Sequence, residues 1–150
     1  MERRIVEPRI SIVTLGVEDL DRAARFYEAM GLKRHRIDDG VAFFQMGGMI
    51  LALWPRGNLA ADSGLEKLAA FEPGVRQPAS ALAYNTRSDA EVGEVLAAAQ
   101  KAGGTIIKPA QRAFWGGWYG YFADSEGNLW EVAHNPAFPI DANGNISLPQ

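Results

Sequence analysis

The stretch Tyr121-Phe122-Ala123-Asp124-Ser125-Glu126-Gly127-Asn128-Leu129-Trp130-Glu131-Val132 reads as a β-hairpin. Apolar and aromatic residues flank Asp124-Ser125-Glu126-Gly127-Asn128, a run of turn formers. The strands are expected over 120–123 and 129–134, and a five-residue turn sets Tyr121 opposite Glu131. Upstream, Thr105 to Lys108 reads as a strand, and Gly103-Gly104 ends a helix whose apolar face is Val92, Val95, Leu96 and Ala99. Ser88-Asp89-Ala90-Glu91 opens that helix as a capping box, hydroxyl and carboxylate satisfying helix-end amides. Ser80 to Thr86 is a strand before it. The order is strand, helix, three strands.

The same order precedes it. Arg9 to Val17 reads as a strand covered on both faces. Asp19 offers an N-cap, Leu20, Ala23, Phe26, Tyr27 and Met30 recur at helical spacing, and Gly31 supplies a stop. Strands follow at 32–37, 41–46 and 49–54, turning at Asp39-Gly40 and Gly47-Gly48. A repeated βαβββ unit predicts an α+β fold in which two modules curl their sheets around a central cup. The alternative for such a pattern is a single ferredoxin-like sheet with helices on one face. One domain over 1–150 is expected: module 1 over about 9–55, a linker over about 56–78 with a short helix at 65–71, module 2 over about 79–135, and a tail over 136–150 that packs on the surface.

Composition bounds the function. The chain has 150 residues, net charge −3, 47% hydrophobic and 22% charged residues, and no cysteine. Disulfides, thiolate metal sites and a cysteine nucleophile are excluded. No basic stripe points to nucleic acid, and no apolar run is long enough to span a membrane. Met1-Glu2-Arg3-Arg4 leads into mixed sequence without the apolar core of a signal peptide, so a cytoplasmic location is expected.

Val13-Thr14-Leu15-Gly16-Val17-Glu18-Asp19-Leu20, Arg25-Phe26-Tyr27-Glu28 and Met30-Gly31-Leu32 resemble the opening of the vicinal oxygen chelate superfamily, and 121–132 is similar to its closing hairpin. Ser125 stands where many members have proline. The family includes glyoxalase I, extradiol dioxygenases, methylmalonyl-CoA epimerase, fosfomycin-resistance enzymes and bleomycin-binding proteins. The resemblance implies a divalent metal held from the first and last strands of each module. Aligned here, its ligand positions fall on Ile12, Leu51, Ala81 and Glu131. Three of these side chains have no donor atom, and one carboxylate cannot make a catalytic metal site. His134 lies three residues past Glu131 and points to the other face. His35 sits between Arg34 and Arg36 on an outer strand.

The expectation is therefore a glyoxalase-like small-molecule binder without the family metal or any other cofactor. It would take an apolar or planar ligand in the cup. Glu131 is the candidate general acid or base, because a carboxylate among apolar residues has its pKa pushed up. Thr14 and Asn85 supply neutral polar groups to the wall. Trp115, Trp118 and Tyr121, with Trp54 from the other module, are expected ligand contacts, the glycine-rich 114–121 segment forming an aromatic lid at the cup mouth. Two other readings stay open. One is a metal-independent lyase or isomerase working through Glu131; the other is a metal-dependent lyase or dioxygenase. A homodimer is expected from the unpaired strand edges and from the family's habit of pairing modules across chains. No nucleic acid or membrane partner is expected.

Overall fold

The computed structural model describes residues 7–35, 40–64 and 80–147. Its elements run β1 (Ile12–Val17), α1 (Leu20–Ala29), β2 (Arg34–His35), β3 (Ala42–Met46), β4 (Met49–Pro55), α2 (Arg56–Ser63), β5 (Leu82–Asn85), α3 (Asp89–Lys101), β6 (Thr105–Arg112), β7 (Trp118–Ala123) and β8 (Leu129–His134). They form two separately bonded four-stranded sheets, ordered β1-β4-β3-β2 and β5-β8-β7-β6, and not a closed barrel. In each sheet the first strand runs parallel to the last and the other pairs are antiparallel. This is the repeated βαβββ order that the sequence predicts.

Local chemistry explains the helix starts. The Asp19 carboxylate accepts from the Arg22 amide at 3.0 Å, satisfying one of the unpaired donors of the first turn. Ser88 Oγ accepts from the Glu91 amide at 3.3 Å, and Glu91 reaches back to the Arg87 amide at 3.4 Å, so the box closes one residue earlier than its usual form.

Several boundaries differ from the expected ones. Residues 56–63, read as linker, are the helix α2; the helix expected at 65–71 lies outside the described residues. β6 continues through Pro109 to Arg112. It is an edge strand, where a missing N–H leaves no ladder bond unmade. β7 begins at Trp118, so the second half of the expected aromatic lid is sheet. The tail bridges Ile140 to Ile146, and Arg87 donates to the carbonyls of Ile140 and Asp141 at 3.2 and 2.7 Å, holding it to the surface.

One buried cluster joins the modules. Phe26 and Tyr27 of α1 pack with Phe44, Leu51 and Leu53 of the first sheet and with Phe122, Trp130 and Val132 of the second. Phe26 meets Phe122 at 6.3 Å between ring centroids, Tyr27 meets Trp130 at 6.2 Å, and Phe122 stacks on Trp130 at 6.0 Å. Such aromatic pairs add about 0.5–1.5 kcal/mol each beyond area burial.

The β7–β8 turn clasps α1. The buried Asp124 carboxylate accepts from Tyr27 Oη at 2.6 Å, from Asn128 Nδ2 at 2.9 Å, and from the Glu126 and Asn128 amides at 2.8 Å each. Tyr27 Oη in turn accepts from Trp130 Nε1 at 3.0 Å. Burial, reinforced by Asp124, pushes the Tyr27 phenol far above its ordinary range, so it remains a donor. Glu126 accepts from the Glu18 and Asp19 amides at 2.8 and 3.2 Å and from Arg22 Nη2 at 2.7 Å. A carboxylate from module 2 thus sits at the positive end of the first helix of module 1.

Candidate functional site

The register assigns each strand residue to a face. In the first sheet Ile12 pairs with Ile50, Thr14 with Ala52 and Gly16 with Trp54, so these residues share the face turned away from the core. Val13, Leu15, Leu51 and Leu53 take the core face. Leu51 is 2% exposed, on the core side. The expectation that Ile12 and Leu51 line one cup wall is corrected: the residues beside Ile12 and Thr14 are Ile50 and Ala52.

In the second sheet Ala83, Glu131 and Tyr121 stand side by side, with Asn85, Ala133 and Tyr119 in the next row. These side chains face away from Trp130, Val132 and Phe122, which belong to the core. Tyr121 Oη donates to Glu131 Oε2 at 3.2 Å, the pairing that the turn length implies. Burial, then the adjacent Glu131 carboxylate, holds the Tyr121 phenol above its usual value and keeps it protonated as the donor. Glu131 is half-buried rather than enclosed.

The aromatic segment divides. Trp115 folds back over Gly117, where an added Cβ would meet its ring and the His134 carbonyl, and packs edge-on against Tyr119 at 5.8 Å. Tyr119 and Tyr121 meet edge-on at 6.0 Å. Trp115, Tyr119 and Tyr121 thus form one aromatic row on the Glu131 face. Trp118 does not join it. It alternates with Tyr119, pairs with His134 and packs against the core cluster. Its expected place at the mouth is corrected for that reason. Phe114 is almost fully exposed.

Lys108 was not singled out in the sequence, yet it completes the row. Its Nζ donates to Tyr119 Oη and lies 4.6 Å from the centre of that ring. Alternation alone could not have found it, because Lys108 comes opposite Tyr121 only through a register shift between Ile106 and Lys108.

Glu131 has Ala83 and Tyr121 as lateral neighbours. His134 is turned to Asp89 at 2.6 Å, at the start of α3. His35, on the edge strand β2, is exposed. Among the described residues no three His, Asp or Glu side chains converge in a metal-binding group.

Among the described residues two cavities bear on the question, and the larger reaches this face through Ala83 and Asn85. One, of about 350 Å³, opens at the seam of the modules between Phe26, Met30, Tyr84, Val95 and Trp130. The other, of about 1100 Å³, is a cleft among Arg9, Gln45, Asn85, Asn143 and Ile146. Asn85 therefore edges a cleft as well as sharing the Glu131 face. Among the described residues no helix is long and apolar enough to cross a membrane.

The fold, its two sheets and its closing turn define a class. The family model described as "Glyoxalase/Bleomycin resistance protein/Dioxygenase superfamily" matches residues 9–132, and the chain belongs to that superfamily. Among solved structures it is similar to a glyoxalase-related enzyme from Fulvimarina pelagi, with 36% identity, TM-score 0.82, and coverage of 96% of this chain and 100% of the other. A glyoxalase/bleomycin resistance protein/dioxygenase from Nocardioides shares 26% identity at TM-score 0.70, over 87% of this chain and 85% of that one. A lactoylglutathione lyase from Agrobacterium tumefaciens shares the fold at 24% identity and TM-score 0.62, over 86% and 95%. The comparison with curated proteins found no match.

Proposed function

We propose that the chain binds a planar or largely apolar small molecule on the Glu131 face without a metal ion. The observation that carries this reading is the row of Trp115, Tyr119 and Tyr121 beside a carboxylate flanked laterally by Ala83 and Tyr121, with no second carboxylate or imidazole next to it in the sheet. Aromatic faces supply flat contact area, and Tyr121–Glu131 supplies polar direction. Thr14 and Trp54, on the corresponding face of the first sheet, and Asn85 would contribute to the wall.

Elemental analysis joined to native mass spectrometry of the purified protein tests the reading. We expect no stoichiometric Zn, Ni, Fe or Mn after dialysis, and a small organic molecule retained by the wild type and lost from Trp115→Ala. A metal near one equivalent, or retention unaffected by Trp115→Ala, would overturn it.

A second reading has its own support. The Fulvimarina pelagi relative is described as an enzyme. In this chain a reaction without metal would draw on Glu131 to move a proton, as lyase or isomerase chemistry requires. Glu131→Gln separates the readings: a binder keeps most of its ligand, whereas an enzyme loses turnover.

We also propose a cytoplasmic homodimer. The outer-face residue Ile12 and the edge-strand residue Ile107 are 49% and 57% exposed, and a second copy would cover such surface. Light scattering at micromolar concentration should give twice 16.3 kDa; a monomer mass would refute the dimer.

A further inference from the structure

The Glu131 face carries a charge order that restricts what it can hold. Across β6, β7 and β8 the side chains run Lys108, Tyr121, Glu131, with Tyr119 the next residue on the same face of β7. The row is joined in two pairs of opposite character. Lys108 donates to Tyr119 Oη, so that phenol spends a lone pair on the lysine and keeps its own hydrogen for another acceptor. Tyr121 donates to Glu131, so that phenol spends its hydrogen and keeps lone pairs. The β6 end offers an ammonium and an O–H donor. The β8 end offers a carboxylate. Lys108 makes no ion pair among the described residues, so its charge is available to a ligand.

We propose that this face selects a planar aromatic monocarboxylate carrying a hydroxyl or amino group at its far end. The inference rests on the reading of the face as a ligand site and adds the ligand's chemical class. The carboxylate meets Lys108 Nζ and the Tyr119 hydroxyl. The ring lies along Trp115 and Tyr119. The distal hydroxyl or amine donates to Glu131. A second anionic group at the distal end is rejected, because it would face Glu131 across a surface already half-buried. Length also selects. Strands β6 and β8 are two ladder steps apart, roughly 10 Å, which suits a two-ring system more than a single ring.

The test uses 6-hydroxy-2-naphthoate and its neutral carboxamide, titrated calorimetrically into the full-length protein at pH 7.5. The naphthoate should bind about tenfold more tightly than the carboxamide, as a charge-assisted hydrogen bond implies. Lys108→Met should remove most of that preference while leaving carboxamide affinity within about twofold. Naphthalene-2,6-dicarboxylate should bind weakly to the wild type and improve in Glu131→Gln. If Lys108→Met does not fold, the carboxylate-to-carboxamide ratio on the wild type still decides. Equal affinity for the two probes, with Trp115→Ala weakening both, would overturn the anion assignment and leave the ligand face standing. Binding indifferent to Trp115, Lys108 and Glu131 variants would overturn the face itself. No binding of the naphthoate up to millimolar concentration would overturn the assigned class.

Discussion

Asp124→Ala should lower the stability of the fold by about 3–5 kcal/mol, read as a fall in the urea midpoint at unchanged slope. Asp124 is 4% exposed and accepts four hydrogen bonds, from Tyr27 Oη, Asn128 Nδ2 and two amides. Alanine leaves those donors without an acceptor, and each buried donor so orphaned costs roughly 1–3 kcal/mol. The sum falls short of the full total because part of the turn reaches water. Against a typical domain stability of about 5–15 kcal/mol this is a large fraction. Asp124→Asn, which keeps one oxygen for the two amides, should lose about half as much. A loss below about 1 kcal/mol for alanine would show that the clasp is not what holds the modules together.

Glu126→Gln should cost about 2–3 kcal/mol at pH 7, and the gap to wild type should close as the solution is acidified. Burial alone would raise the pKa of this carboxyl. The amides of Glu18 and Asp19 and the guanidinium of Arg22 outweigh burial and hold it below the ordinary value. A carboxyl depressed in the folded state contributes its full stability above the unfolded-state pKa. It loses that contribution as pH falls through the folded value. The wild-type advantage should therefore be constant from pH 7 to about 5, then shrink below about pH 4.3. Denaturant melts of both proteins at pH 7, 5, 4 and 3 measure it. A gap that stays level down to pH 3, or widens in acid, would refute the role of the ionised carboxylate.

How far the sequence reveals this architecture depends on whether the signal is local. The hairpin at 121–132 was legible because the turn Asp124 to Asn128 is self-specifying. The Asp side chain accepts two amides within the turn, and Gly127 takes φ 86°. Asp141 to Asn145 builds the same turn in the tail, with the same two side-chain bonds and Gly144 at φ 86°. The Tyr121–Glu131 pair followed from that turn length. The face of β4 was not legible, since Met49 to Trp54 is apolar at every position and alternation gives no parity. Leu51 was misplaced for that reason. Trp118 was misplaced because Gly116 and Gly117 read as loop and set the start of β7 two residues late, at Gly120. The helix α2 was missed because Pro55, Gly57 and Asn58 look like linker, although proline just before a helix is a common opening. The contacts of Tyr27 and Arg22 with the last hairpin have no sequence signature, lying 97 to 104 positions apart.

That separation shapes how the chain reaches its fold. When α1 leaves the ribosome, the acceptor for Tyr27 and the aromatic wall opposite Phe26 have not been synthesised. Closing so long a loop costs chain entropy before any contact rewards it, which places the chain among slower folders. Through that interval the nascent first module presents uncovered aromatic surface, the kind of intermediate that chaperones hold and that aggregates when they do not. The two βαβββ units repeat in architecture, but part of the support of the first unit's helix is encoded in the second.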